Sequence, residues 1–150
     1  MTVLNNLDTL APFAIGSLNA NGLGNKDKRA RVLNWLKAKK ESVFFLQECH
    51  STPDTEKEWE KEWDGKIIFN HGNSNSTGVA VLFKRDFLIG NTILRTTNIV
   101  EGRVTLVELE YESNIFGIVN VYSPNKDDTD FLNNTFLDSC SYSTTDNLIS

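Results

Sequence analysis

Apolar positions in this chain gather in short runs and alternations that close on small polar residues. Ser42-Val-Phe-Phe-Leu46 is too short for a buried helix and rich in strand formers, so it predicts a strand covered on both faces, with Gln47-Glu48 at its C-terminal end. The same grammar recurs in Phe13-Ala-Ile-Gly-Ser-Leu-Asn19, in Gly78-Val-Ala-Val-Leu-Phe83 and in Ile115-Phe-Gly-Ile-Val-Asn-Val-Tyr-Ser-Pro-Asn125. Arg103 to Glu110 alternates, with Thr105, Val107 and Leu109 on one side and Val104, Leu106 and Glu108 on the other. It meets Ile115 to Val121 across Tyr111-Glu-Ser-Asn114, a connection short enough for a hairpin. Lys66 to Phe69 and a segment within Phe87 to Thr96 complete the predicted strands.

Between the strands the period changes. Lys26 to Lys40 predicts a helix with Val32, Leu33 and Leu36 on one face, Trp35 beside them and charges opposite. Thr52-Pro-Asp54 starts a second helix, with Thr52 as N-cap and Pro53 at the first helical position. Trp59 and Trp63 follow at helical spacing, which favours core anchors over base-stacking platforms. A third helix is expected from Asp127 to about Leu137, weakened by Asn133 and Asn134. Met1 to Ala11 reads as a loose lead-in, Asn19 to Gly24 as a loop whose Gly22 and Gly24 permit positive φ, and Asp138 to Asp146 as a Ser/Thr-rich loop. The last residues, Asn147 to Ser150, hint at a strand.

Composition narrows the classes. One domain is expected from 150 residues with 39% hydrophobic content, and a net charge of −5 argues against a strongly basic nucleic-acid surface. Seven of the 15 Lys and Arg residues lie between Lys26 and Lys40, and a solvated helix face is the expected reading for most of them. The two cysteines, Cys49 and Cys140, read as reduced thiols. No stretch resembles a signal peptide or a membrane span, so an intracellular, non-membrane protein is expected.

The position of Glu48 carries the chemistry. Side chains leaving the C-terminal end of a strand point into the crevice where α/β sheets hold ligands, so Glu48 is a metal ligand, a general base or a surface residue. Phosphodiester hydrolysis needs an activated water, a Lewis acid and help for the leaving oxygen. Mg²⁺ suits a site with one or two carboxylates because it keeps several of its own waters. His50 is expected to turn away from Glu48 and be structural, and His71 to be a turn residue.

The four strand-end segments, with Asn21-Gly-Leu23 after the first and a Trp-bearing helix before the second, resemble the endonuclease/exonuclease/phosphatase superfamily, most closely the endonuclease domain of LINE-type non-LTR retrotransposons. The resemblance runs from about residue 12 to about 137 of a chain read as one truncated domain, 1–150, with a loop-like tail at 138–150. It implies the N-terminal half of a two-sheet, four-layer α/β/β/α sandwich. It also implies a site of Asn19, Glu48, Tyr122 and Asn125. Glu48 would be the metal-binding carboxylate and Asn19 its support, with Mg²⁺ or Mn²⁺ as cofactor. Tyr122 and Asn125 would reach the scissile phosphate, and Arg103 lies where the family often has a phosphate-contacting residue. As bland alternatives, Asn19 caps a turn, Tyr122 packs at a strand end and Pro124-Asn125 is a turn pair.

The superfamily's second half supplies a Gly-Asp-Phe-Asn-like segment and a terminal Ser-Asp-His-like segment. Neither occurs in these 150 residues, whose only His residues, His50 and His71, precede Tyr122. Two readings follow, and enzyme status stays open between them. In the first, the chain is the N-terminal part of a Mg²⁺-dependent DNA endonuclease, inactive alone, weak or null in DNA binding, and nuclear if it serves a retrotransposon. In the second, it is a non-catalytic degenerate module that binds a protein partner, or itself, through an exposed sheet. The exposed sheet is expected because strands such as Val79 to Phe83 and Ile115 to Val121 are apolar on both faces.

Overall fold

The structure, a computed structural model, describes residues 2–5, 13–73, 77–123 and 148–149. Five strands form one sheet: β1 (Thr2–Asn5), β2 (Ala14–Asn19), β3 (Val43–Gln47), β4 (Gly65–Asn70) and β5 (Val79–Lys84), in the order β1-β2-β3-β5-β4. Only β2 and β3 run parallel, joined by the crossover helix α1 (Lys26–Lys37), and every other pair in this sheet is antiparallel. A second sheet has the order β6-β7-β8-β9, from β6 (Thr92–Val100), β7 (Val104–Tyr111), β8 (Asn114–Val121) and β9 (Leu148–Ile149).

The two sheets close face to face. Phe13, Ile15, Val43, Phe45, Val81 and Phe83 from the first sheet pack on Val107, Leu109, Phe116 and Ile118 from the second. The opposite face of the first sheet, with Phe44, Leu46, Ala80 and Leu82, is covered by Leu33 and Leu36 of α1 and by Trp59 and Trp63. Trp59 belongs to α2 (Glu56–Glu62), which continues from a 3₁₀ turn over Pro53–Thr55, and Trp63 follows it. Both tryptophans are core anchors, and the Trp63 indole donates to the Phe83 carbonyl oxygen at 3.0 Å. Arg29, also buried, joins α1 to α2 through Glu62 and Glu58, with its guanidinium over the Trp59 ring.

The structure corrects the exposed-sheet expectation. Val79 to Phe83 are all buried, and so are Phe116 to Asn120 of β8. The hairpin β7–β8 already builds a second sheet over the first, so the doubly apolar strands find cover on both sides. The outer face of the second sheet also buries Val104, Leu106 and Val119. The helix expected over Asp127 to about Leu137 lies outside the described residues.

Other differences are local. The lead-in contains a strand, β1, paired antiparallel with β2 from Thr2↔Ser17 to Asn5↔Ala14. Four residues cannot display a period, so only the long-range pairing reveals them. The segment from Phe87 begins with a helical turn, α3 (Arg85–Leu88), because Phe87 turns inward among the rings of Phe13, Phe83 and Tyr111. The β7–β8 connection is the expected hairpin, with Glu112 and Ser113 both left-handed at φ 48° and 65°, as a tight two-residue turn requires.

Candidate active site

Asn19 ends β2 and Gln47 ends β3, and these parallel neighbours are in register. Their ladder continues past both strand ends: Ala20 N donates to Gln47 O at 2.8 Å, Gly22 N to Glu48 O at 2.7 Å and Leu23 N to Cys49 O at 3.0 Å. On the other side Cys49 N donates to Gly78 O and His50 N to Thr77 O. The segment from Gln47 to His50 is therefore gripped by two flanking loops. Glu48 and His50 both adopt left-handed φ, 53° and 52°, a conformation costing non-glycine residues on the order of 1 kcal/mol and tolerated where surroundings over-determine it. Of the two loop glycines, Gly22 uses positive φ, at 82°, and Gly24 does not.

Three of the four expected residues meet. Glu48 Oε1 accepts from Asn19 Nδ2 at 3.0 Å and from the Tyr122 hydroxyl at 2.7 Å. Asn19 is itself fixed, because its Oδ1 accepts from Asn21 N at 3.0 Å. Tyr122 arrives from the other sheet, just past β8, and its backbone N donates to Arg103 O at 2.8 Å. Asn125 lies outside the described residues. Arg103 stands beside Tyr122, and its charge works to lower that phenol's pKa.

The electrostatics follow from these contacts. The Tyr122 hydrogen bond, then that of Asn19, holds the Glu48 carboxyl below the ordinary glutamate range, against a smaller opposing effect of desolvation. The same Glu48 contact raises the Tyr122 phenol. The pair is thus an ionised carboxylate and a neutral phenol.

The His50 side chain is exposed, and its charge adds the smallest of the influences that lower Glu48. Cys49, between them, is buried, and burial pushes its thiol well up. His71 does follow the last strand residue of β4, but it also links two elements: Nδ1 shares a hydrogen with Ser51 Oγ at 2.9 Å and Nε2 meets Glu56 Oε1 at 2.5 Å.

Sequence reasoning missed the support. Lys28 Nζ donates to Ala20 O at 3.0 Å and Asn21 O at 2.7 Å, closing the loop beneath Asn19. With Arg29 buried in ion pairs, two of the seven clustered basic residues serve the fold. Asn120, a polar residue inside an apolar strand run, was the available signal for a buried network.

Among the described residues no group of three or more His, Cys, Asp or Glu gathers. The donors present are one carboxylate with a primary amide and a phenol beside it, which fits a cation that keeps most of its own waters.

A model of the endonuclease/exonuclease/phosphatase family matches residues 16–145. The transposon TX1 uncharacterized 149 kDa protein of Xenopus laevis is 36% identical over 112 residues, which cover 75% of this chain and 8% of that protein. Among solved structures, the endonuclease domain of TRAS1, a telomere-specific non-LTR retrotransposon, matches with a TM-score of 0.57 at 11% identity, over 89% of this chain and 56% of that one. TDP2 of D. rerio, complexed with single strand DNA product, matches with a TM-score of 0.57 at 16% identity, over 82% of this chain and 51% of that one. At these identities the structural likeness shows the fold, and the chain spans about half of each solved relative.

Proposed function

Because this chain belongs to the endonuclease/exonuclease/phosphatase family, we propose that it carries the Glu48-bearing part of a Mg²⁺-dependent DNA endonuclease of retrotransposon type. The observation that carries this reading is the meeting of Asn19, Glu48 and Tyr122 at the strand ends of both sheets. The domain is taken as a single unit over 1–150, working in the nucleus on DNA. No helix among the described residues is long and apolar enough to cross a membrane.

Glu48 and Asn19 would hold the cation, Mg²⁺ or Mn²⁺, which when bound supplies charge neutralisation at the phosphoryl oxygens. Both hydrogen bonds from Asn19 and Tyr122 land on Oε1, which leaves Oε2 as the oxygen that would take the cation. Tyr122, kept neutral by its partner, retains a hydroxyl proton that it can redirect from Glu48 to a phosphate oxygen. Arg103 adds positive charge on the same side, and Asn125 is assigned the scissile phosphate by motif alone. The sequence of these 150 residues includes no Ser-Asp-His-like segment to take a proton from water, and such a group is worth ~10²–10⁴ in rate. The chain by itself is therefore expected to bind Mg²⁺ without nicking.

Two measurements test the reading. An NMR titration with Mg²⁺ should perturb Glu48 and Asn19 signals, and Glu48→Gln should abolish the response; an unchanged response would refute Glu48 as ligand. Supercoiled plasmid incubated with the chain and Mg²⁺ should stay unnicked above background. Nicking lost in Glu48→Ala would show that the described site suffices.

A further inference from the structure

Glu48 and Tyr122 come from different sheets, and this sets a problem of register. Asn19 and Glu48 share one sheet, where the β2–β3 ladder fixes their spacing. Tyr122 has no such ladder to Glu48. It rides at the end of β8, held to the first sheet across a seam of Phe45, Val81, Val107, Phe116 and Ile118. Apolar packing of this kind is non-directional, so it opposes separation of the sheets more than small sliding.

One polar cluster interrupts the seam below the site. Asn120, fully buried, donates through Nδ2 to Leu46 O at 3.0 Å and Ala80 O at 2.9 Å, while its Oδ1 accepts from Gln47 Nε2 at 2.9 Å. Gln47 Nε2 also donates to Ser17 Oγ at 3.1 Å. Every side-chain partner of Asn120 lies on the opposite sheet, and both its amide hydrogens and its oxygen are used. Packing alone does not call for a polar residue here, since an apolar side chain of similar volume avoids the desolvation of an amide. Hydrogen bonds, unlike apolar contacts, are lost when donor and acceptor slide by about 1 Å. Gln47 immediately precedes Glu48, and Asn120 lies two residues before Tyr122, on the same face of the strand.

We propose that the Gln47–Asn120 bridge is a positioning device that locks β8 over β3 so that the Tyr122 hydroxyl reaches Glu48 Oε1. Its catalytic meaning rests on the reading of Glu48 and Tyr122 given above, but the device itself does not. A second buried amide, Asn70, holds the turn between β6 and β7 through Gly102 N, Val100 O and Val104 O. That contact keeps the sheets joined when the Gln47–Asn120 bridge is cut.

The test uses the 150-residue chain without metal or DNA. Asn120→Leu removes the bridge with little change of volume, and Gln47→Met, at a half-buried position, removes the bonds from Gln47 to Asn120 and Ser17 while leaving those from Asn120 to the Leu46 and Ala80 carbonyls. Carboxyl and ring signals of Glu48 and Tyr122 are followed by NMR through a pH titration. In the folded variants the Glu48 midpoint should rise toward that of an ordinary glutamate and the Tyr122 midpoint should fall. The Tyr122 ring signal should also cease to follow Glu48 ionisation. A purely structural amide would lower the melting temperature and leave both midpoints and their coupling as in the parent, which would overturn the proposal. Should Asn120→Leu not fold, Gln47→Met decides by the same criteria. Loss of coupling in these variants, together with Mg²⁺ binding indifferent to Glu48, would uphold the positioning device and reject the metal reading.

Discussion

Tyr122→Phe isolates the hydroxyl that joins the two sheets at the site. The ring stays, and what goes is one 2.7 Å hydrogen bond to Glu48 Oε1. Hydrogen bonds to charged groups contribute about 1.5–3 kcal/mol, and partial exposure of both residues screens this toward about 1 kcal/mol. For a chain of this size that corresponds to about 3 °C in melting temperature. The loss should depend on pH with a definite sign. Glu48 is depressed in the folded state, so its contribution is present above the ordinary glutamate value of ~4.3 and is lost as pH falls through the lower folded value. Tyr122 is raised, so its contribution holds below ~10 and is lost as pH rises through the higher folded value. Thermal melts of parent and variant at pH 7 should therefore differ by the stated amount, and the difference should shrink in acid. In a Glu48→Gln background the same substitution should cost less, because the acceptor is no longer charged. Equal losses at both pH values and in both backgrounds would refute the charge-assisted contact.

Two further predictions concern the scaffold and are read by urea denaturation. Gly65→Ala would place a Cβ 1.9 Å from the Phe83 carbonyl oxygen at φ 155°, so a loss above about 3 kcal/mol is expected, whereas Gly24→Ala, with no atom within 4 Å, should be nearly neutral. Arg29→Ala strands the carboxylates of Glu58 and Glu62 and should cost about 3 kcal/mol, while Glu58→Ala, at a side chain 56% exposed, should cost under about 1 kcal/mol.

Much of this arrangement could be read from local pattern. The run ending at Glu48, the amphipathic helix from Lys26, the Thr52-Pro53 helix start and the Trp59/Trp63 anchors each depend on residues within a few positions of one another. What escaped depends on partners far away in sequence. The β1 strand exists by pairing with β2, the cover over Val79–Phe83 by closure of the β7–β8 hairpin, and the site's rigidity by Gln47 meeting Asn120 across 73 positions. The helix estimated to Lys40 stops at Lys37, where Ala38 and Lys39 turn back to Trp35 and Leu36 carbonyls.

Cys49 sits between the half-buried Glu48 and the exposed His50, yet its own sulfur is sealed in the helix-side core. A thiol so placed, with ionisation suppressed by burial, does not react from the closed state. A modifying reagent reaches it only when the segment from Gln47 to His50 lets go of its flanking loops. The rate at which that sulfur is captured is thus a clock for the opening of the strand end that carries Glu48, read without any substrate.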